Sequence, residues 1–137
     1  MFPSANLGHA AMGLLAAKFR NTGQACIAAN NVFVHRDVLD DFITVFLAKV
    51  NSLQFGDPFQ SGTTLGPLIN SRGLDKVREQ VRDAIEKGAT LHCGGQAIDD
   101  FHFEPTLLSN VPQDAQCFNS ETFGPLCAIK VSKNFFE

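Results

Sequence analysis

The chain has 137 residues and a mass of 14.9 kDa, which is the size of one domain. Fourteen acidic and eleven basic side chains give a net charge of −3 without a run of Lys or Arg, so the charge pattern excludes a typical nucleic-acid-binding surface. Apolar residues make up 45% of the chain, enough for a packed core, and no apolar stretch reaches the roughly 18 residues that span a bilayer. These values predict a soluble globular domain that binds neither nucleic acid nor membrane.

The first half of the chain predicts a helix, a strand and a second helix. Ser4 is the expected N-cap of a helix that runs to about Arg20, because apolar residues recur there at helical spacing. After a glycine-containing break, the β-prone run 31–35 predicts a short buried strand. Asp37 is expected to cap the next helix, whose apolar stripe runs to Val50.

The second half predicts one long helix and three strands. Gly and Pro punctuate residues 55–70, which indicates an ordered loop or a linker. Apolar residues from Ser71 onward share one helical face, and Gly88 supplies a stop. The three further strands are predicted at Ala89–Cys93, Phe103–Leu108 and Leu126–Val131. The chain is thus expected to be a single α/β domain over residues 1–137, with an open, mostly parallel sheet flanked by helices.

The cysteine pattern indicates an intracellular protein with reduced thiols and no metal site. No two of the four cysteines have the two-residue gap that is typical of zinc sites or dithiol redox sites. They are Cys26, Cys93, Cys117 and Cys127. A chain of this length builds a core without disulfides, so a disulfide scaffold is not required.

Cys26 is the first candidate for covalent chemistry. It follows Gly23 closely at the exit of the first predicted helix, where a glycine turn can expose main-chain N–H groups. A thiol nucleophile needs an ionised sulfur or a neighbouring base, and an oxyanion formed beside it needs preorganised donors. The loop offers donors but no base, and the alternative interpretation is a small buried hydrophobic residue. The surrounding residues fit neither the caspase-type nor the papain-type signature.

The run Phe19–Cys26 resembles the cysteine signature of the aldehyde dehydrogenase superfamily, and four further blocks follow in that family's order. These blocks are Gly56–Pro58 with Gly62–Ile69, Lys87–Ala89 with Gly94–Gly95, Phe103–Leu108, and Glu121–Pro125. The resemblance covers essentially the whole chain. Within the family the motifs are most similar to those of the succinate-semialdehyde branch, chiefly through Lys18–Gln24 and Gly62–Thr64.

The resemblance implies a role for each of four residues. Cys26 would attack an aldehyde and carry first a thiohemiacetal and then a thioester, with NAD or NADP as the hydride acceptor. Arg20 would hold the distal carboxylate of the substrate, a task that suits a guanidinium fork. Glu121 would bind the cofactor ribose, and Phe123 would lie near the nicotinamide end. The structural alternatives are a solvated cation for Arg20, a solvated loop acid for Glu121 and a core phenylalanine for Phe123.

The resemblance also implies that most of the enzyme lies elsewhere. The family places its glycine-rich cofactor fingerprint, its general-base Glu and its oxyanion-hole Asn before the point where this chain begins. The cofactor-binding domain is therefore expected to be absent and the isolated chain to be inactive, as a fragment of the catalytic domain. The full-length parent is expected to be a homo-oligomer, a dimer or a tetramer, in the mitochondrial matrix or the cytoplasm.

The sequence departs from the family pattern at two positions and allows two alternative functions. Ala28 replaces a second cysteine that some members of the branch carry, which argues against an oxidation switch, and Ser120 replaces a common Glu. One alternative is a non-catalytic folding or oligomerisation domain with an inert Cys26, and the other is a covalent modifier or esterase that uses Cys26 without a cofactor. Most of the thirteen Phe residues are expected to fill the core, whereas Phe135 and Phe136 would be exposed unless another segment covers them.

Overall fold

The computed structural model describes residues 1–133 and contains one four-stranded sheet. Its strands are β1 Val32–His35, β2 Thr90–Cys93, β3 Thr106–Ser109 and β4 Leu126–Ser132. Their order across the sheet is β1-β4-β3-β2, with β1, β4 and β3 parallel and β2 antiparallel at the edge. The predicted α/β class and the open, mostly parallel sheet are thus confirmed.

Helices cover both faces of this sheet, as a parallel sheet requires. They are α1 Leu7–Phe19, α2 Leu39–Val50, α3 Ser71–Glu86 and the single turn α4 Gln116–Asn119. Successive side chains of a strand point to opposite faces, so β4 serves two cores. Cys127 and Ile129 pack in the cluster formed with α1 and α2, whereas Leu126 and Ala128 pack in the cluster formed with α3.

Aromatic side chains hold α1 and α2 together. Phe42 and Phe46 are four residues apart in α2 and stack with their ring centroids 5.4 Å apart. Phe19, the last residue of α1, lies against Phe46 at 6.4 Å. All three rings are almost fully buried, and each contributes on the order of 1.5–3 kcal/mol by leaving water. The end of α1, from which the Cys26 loop departs, is therefore firmly anchored.

The predicted helix starts need two corrections. Asn6, not Ser4, caps α1, because its side chain accepts a hydrogen bond from the main-chain N–H of His9 at 3.0 Å. Asp37 does not cap α2, since it lies within a 3-10 turn and α2 begins only at Leu39 without a side-chain cap. Here the 3-10 turn continues directly into the helix and replaces a cap.

Other differences arise from local chemistry. The third predicted strand begins at Thr106 rather than Phe103, since Pro105 has no N–H to donate and Phe103 makes only an isolated bridge. Helix α4 was not predicted, because one turn carries no periodic signal. Core placement is confirmed for several Phe residues but is wrong for others, such as Phe59, which is 94% exposed. Phe135 and Phe136 lie outside the described residues.

Candidate active site

Cys26 lies on a short loop whose path is fixed by left-handed backbone. After α1 ends, Asn21, Thr22 and Gly23 have φ angles of 51°, 57° and 74°. The Asn21 side chain stabilises the turn by donating to the Gln24 carbonyl oxygen at 2.9 Å. Left-handed conformation costs an L-residue roughly 1–2 kcal/mol, so other contacts must hold this turn in place.

Gly23 is required because the chain passes very close to another segment. A Cβ atom at this position would clash with the carbonyl group of Gly124 and would lie 3.0 Å from the carbonyl oxygen of Lys18. Three backbone segments therefore converge here: the end of α1, the cysteine loop and the stretch before β4. The glycine of the cysteine motif thus brings this loop against the Glu121–Pro125 segment.

The loop 66–69 provides the second support of the cysteine loop. The Thr22 hydroxyl donates to the Gly66 carbonyl oxygen and accepts from the Gly66 N–H, both at 3.0 Å. The Gln24 amide donates to the Pro67 carbonyl oxygen at 3.1 Å and accepts from the Ile69 N–H at 2.9 Å. These four bonds compensate for the strained turn and fix its direction.

Cys26 itself is exposed at the tip of this loop. The residues 25–28 form a turn in which the Ala28 N–H donates to the Ala25 carbonyl oxygen at 3.0 Å. No described residue forms a hydrogen bond with the Cys26 sulfur. Because Cys26 is exposed, the alternative of a buried, core-filling cysteine is wrong. An accessible thiol in an ordered turn is the arrangement that a nucleophile needs.

The other three cysteines are less accessible, and burial raises the pKa of each thiol. Cys127 is completely buried, and loss of hydration raises the pKa of its thiol to about 12. Burial also raises the pKa of Cys117 and of Cys93. Cys26 is the only one of the four cysteines that is exposed. Alkylating reagents and aldehydes should therefore distinguish it from the rest.

The segment around Glu121 is attached to the residues that follow the cysteine loop. Asn30 accepts from the Thr122 N–H at 2.9 Å and donates to the Ser120 carbonyl oxygen at 3.3 Å. These two bonds flank Glu121, whose side chain is exposed to solvent. The structure therefore brings Glu121 to the same end of the molecule as the cysteine loop.

Phe123 lies beside the same loop in an unusual conformation. Its φ of 52° is left-handed, and its side chain is 41% exposed, so the alternative of a core phenylalanine is wrong. It lines a cleft of about 490 Å³ together with Asn21, Gln24, Pro67, Leu68 and Ile69. Cys26, Arg20 and Glu121 do not line this cleft, which borders the cysteine loop on one side.

Arg20 begins the turn that leads to Cys26. Its side chain is exposed and forms neither a hydrogen bond nor an ion pair with any residue from 1 to 133. The guanidinium group is thus free to bind an anion in solution. This position is compatible both with a substrate-binding role and with the alternative of a solvated cation.

A buried lysine underlies the site and was not predicted. Lys18 is 1% exposed, and burial lowers the pKa of its ammonium group, while the thiols of Cys127 and Cys117 and the carboxylate of Glu121 partly oppose this shift. In the sequence Lys18 is notable only as the first residue of the Lys18–Gln24 motif. The supporting residues Thr22, Gln24 and Asn30 were also missed, because their bonds join segments 43 to 92 positions apart.

Residues 1–133 offer neither a metal site nor a membrane-spanning helix. No group of three or more His, Cys, Asp or Glu side chains could hold a metal ion. None of the helices has both the length and the apolar character needed to traverse a bilayer.

Comparison with known proteins identifies the family. A family model described as the aldehyde dehydrogenase family matches residues 1–137. The chain is 49% identical over 133 residues to the mitochondrial succinate-semialdehyde dehydrogenase of Mus musculus, a match that covers 94% of this chain and 25% of that protein. It is 43% identical over 131 residues to an NADP(+) succinate-semialdehyde dehydrogenase of Escherichia coli, covering 94% and 27%.

Solved structures give the same result. The chain matches the crystal structure of succinate-semialdehyde dehydrogenase from Burkholderia pseudomallei with a TM-score of 0.94 and 41% identity, over 98% of this chain and 28% of that one. It therefore spans about a quarter of the length of the curated relatives and of this structure. The match in sequence and in fold confirms the resemblance, and this chain belongs to the aldehyde dehydrogenase family.

Proposed function

We propose that this chain is the cysteine-bearing part of the catalytic domain of an NAD(P)-dependent aldehyde dehydrogenase that oxidises succinate semialdehyde. The observation that carries the proposal is the exposure of Cys26 on a turn held against the Glu121–Pro125 segment. The names of the relatives from mouse, Escherichia coli and Burkholderia pseudomallei support the substrate.

Cys26 would act as the covalent catalyst. Its thiolate attacks the aldehyde carbon, a C–S bond forms, and the carbonyl oxygen becomes an oxyanion that main-chain N–H groups of the loop can stabilise. NAD or NADP, when bound, would supply the hydride acceptor that conversion of the Cys26 thiohemiacetal to a thioester requires. Water then hydrolyses the thioester, releasing the carboxylic acid and restoring the thiol.

Glu121 and Phe123 fit the cofactor that this chemistry requires. The Glu121 carboxylate is exposed and makes no ion pair within residues 1–133, so its two oxygens can accept hydrogen bonds from two ribose hydroxyls. Phe123 offers an exposed aromatic face beside the cysteine loop, which suits contact with the nicotinamide end.

Arg20 would select an aldehyde that carries an acid group. Its guanidinium group is exposed and unpaired within the described chain, and it lies six positions before Cys26 on a turn of fixed path. Two parallel hydrogen bonds from a guanidinium fork bind a carboxylate in a defined orientation. A four-carbon acid-aldehyde can thus be held at the end that does not react.

Substitution of Arg20 in a complete enzyme that contains this segment tests the proposal. Because charge-assisted hydrogen bonds contribute about 1.5–3 kcal/mol, Arg20→Leu should lower kcat/KM for succinate semialdehyde about 10- to 100-fold, mainly through KM. Turnover of butanal, which has no carboxylate, should change little. Arg72→Leu, at an exposed arginine of α3, is the matched control and should leave both substrates unaffected. Equal losses for the two aldehydes would contradict the role of Arg20.

The oligomeric state and the compartment of the complete protein are proposed from family membership. We propose that it is a homo-oligomer, either a dimer or a tetramer, and that it works in the mitochondrial matrix or the cytoplasm. The mitochondrial relative from mouse supports the first compartment.

A further inference from the structure

A second cavity lies on the α3 side of the sheet. Its volume is about 670 Å³. Its walls include Phe33, Asn110, Val111, Gln113, Phe118 and Lys130. Lys130 lies four positions after Leu126 in β4, which at about 3.3 Å per residue places it roughly 13 Å along the strand from the end nearest the cysteine loop. None of the residues that line this cavity belongs to the proposed active site.

The alternation of β4 turns Lys130 inward. It follows Leu126 and Ala128 at intervals of two, and those residues pack in the core under α3. On the neighbouring strand its register partner is Phe33. Lys130 is only 8% exposed, so a charged group occupies a position that the strand pattern assigns to an apolar residue.

The ammonium group of Lys130 is held by an aromatic ring and not by a carboxylate. It lies over the ring of Phe118, a cation–π contact, and Phe33 meets the same ring edge-on with centroids 6.2 Å apart. Among residues 1–133 no carboxylate forms an ion pair with it. Burial lowers its pKa to about 8, while Cys117 and Asp114, the titratable groups that face it, oppose this shift.

A buried cation without a counter-ion is costly, and an anion in the same cavity removes that cost. We propose that this cavity binds a small monocarboxylic acid whose carboxylate pairs with Lys130 and whose apolar body lies against Phe33, Val111 and Phe118. A single carboxylate matches the single cation in the cavity wall. This site is independent of the proposed dehydrogenase function.

Benzoate is a suitable probe, since it combines one carboxylate with an apolar ring. Calorimetric titration of the chain at pH 7 should give saturable binding with a Kd on the order of 1 mM, and NMR signals of Phe33 and Val111 should shift. Lys130→Met should weaken binding at least about tenfold, because a charged pair is lost. Lys76→Met removes an exposed lysine of α3 and should not change the affinity. Benzyl alcohol should not distinguish the wild type from Lys130→Met.

The pH dependence provides a test that does not require the methionine variant to fold. Raising the pH from 7 to 9 crosses the Lys130 pKa of about 8, so the charged fraction and the benzoate affinity should fall about tenfold. Lys130→Arg should retain affinity at pH 9, because a guanidinium group stays charged. Equal benzoate affinities for wild type and Lys130→Met, absence of saturation, or affinity independent of pH would overturn the proposal.

Discussion

Gly23 shows how one missing side chain determines the position of the candidate nucleophile. Its φ of 74° and its approach to the Gly124 carbonyl leave no room for a Cβ atom. The sequence indicates a tight turn here, because Asn21, Thr22 and Gly23 interrupt the helical pattern and glycine permits a tight backbone path. It does not indicate that the partner is another glycine 101 positions later, since that contact depends on the packing of the whole domain.

Replacement of Gly23 should therefore be severe. Gly23→Ala is expected to lower the free energy of unfolding by more than about 2 kcal/mol, because it combines left-handed backbone with a steric clash. Gly13→Ala is the matched control, since a Cβ there meets nothing within 4 Å and α1 should gain about 0.5–1 kcal/mol. Urea denaturation measures both changes. Similar effects of the two substitutions would show that the convergence at Gly23 is not required.

Among the helices and strands, apolar periodicity predicts the long helix most reliably. The sequence predicts helix α3 nearly to its ends, because its apolar stripe from Ser71 and the Gly88 stop agree, and the structure adds Asn70 as its N-cap. The predicted starts of α1 and α2 are wrong, because Ser4 and Asp37 belong to residue types that commonly cap helices. Only the folded geometry determines which side chain forms the capping hydrogen bond. The link between α3 and α4 was not predictable, since α4 has no periodic pattern.

Asp83 forms this link and makes it sensitive to acid. Its carboxylate accepts from the Lys87 ammonium group at 2.8 Å and from the Gln116 N–H at 2.7 Å, and these bonds lower its pKa. A carboxyl group with a lowered pKa stabilises the fold above its unfolded pKa, and that contribution is lost as the pH falls through the folded value.

Asp83→Asn should accordingly destabilise the chain by about 1 kcal/mol at pH 7, with the difference from the wild type shrinking below about pH 4. Chemical denaturation at a series of pH values measures this. Asp75→Asn is the control, because Asp75 pairs with Arg78 at the surface and should contribute little. A difference that persists unchanged at low pH would exclude the charged carboxylate as its cause.

The described chain folds as a layered domain, and the sequence spans about a quarter of the length of its curated relatives. The family could be predicted from the sequence because its motifs follow one another in order, and the comparisons confirm it. The hydrogen bonds by which Thr22, Gln24 and Asn30 support the site could not be predicted, because they join residues far apart in the chain. The roles of Cys26, Arg20, Glu121 and Phe123 remain proposals that the geometry supports.

The isolated chain should not oxidise aldehydes. Its 137 residues contain no Gly-x-Gly-x-x-Gly fingerprint for a dinucleotide, and no acid or base is bonded to Cys26 within the described part. With succinate semialdehyde and NAD or NADP, absorbance at 340 nm should stay at the level of a Cys26→Ala control. Turnover near 1 s⁻¹, in the ordinary range for enzymes, would show that the chain is catalytically sufficient.

The proposed mechanism requires Cys26 to be the accessible, reactive thiol of this domain. Timed alkylation with iodoacetamide at pH 7.5, followed by peptide mass spectrometry, measures the rate at each cysteine in the native chain. Cys26 should react at least about tenfold faster than Cys93, Cys117 and Cys127, and Cys26→Ala should abolish the fast phase. Equal rates at all four cysteines would contradict it and favour a domain in which this cysteine is inert.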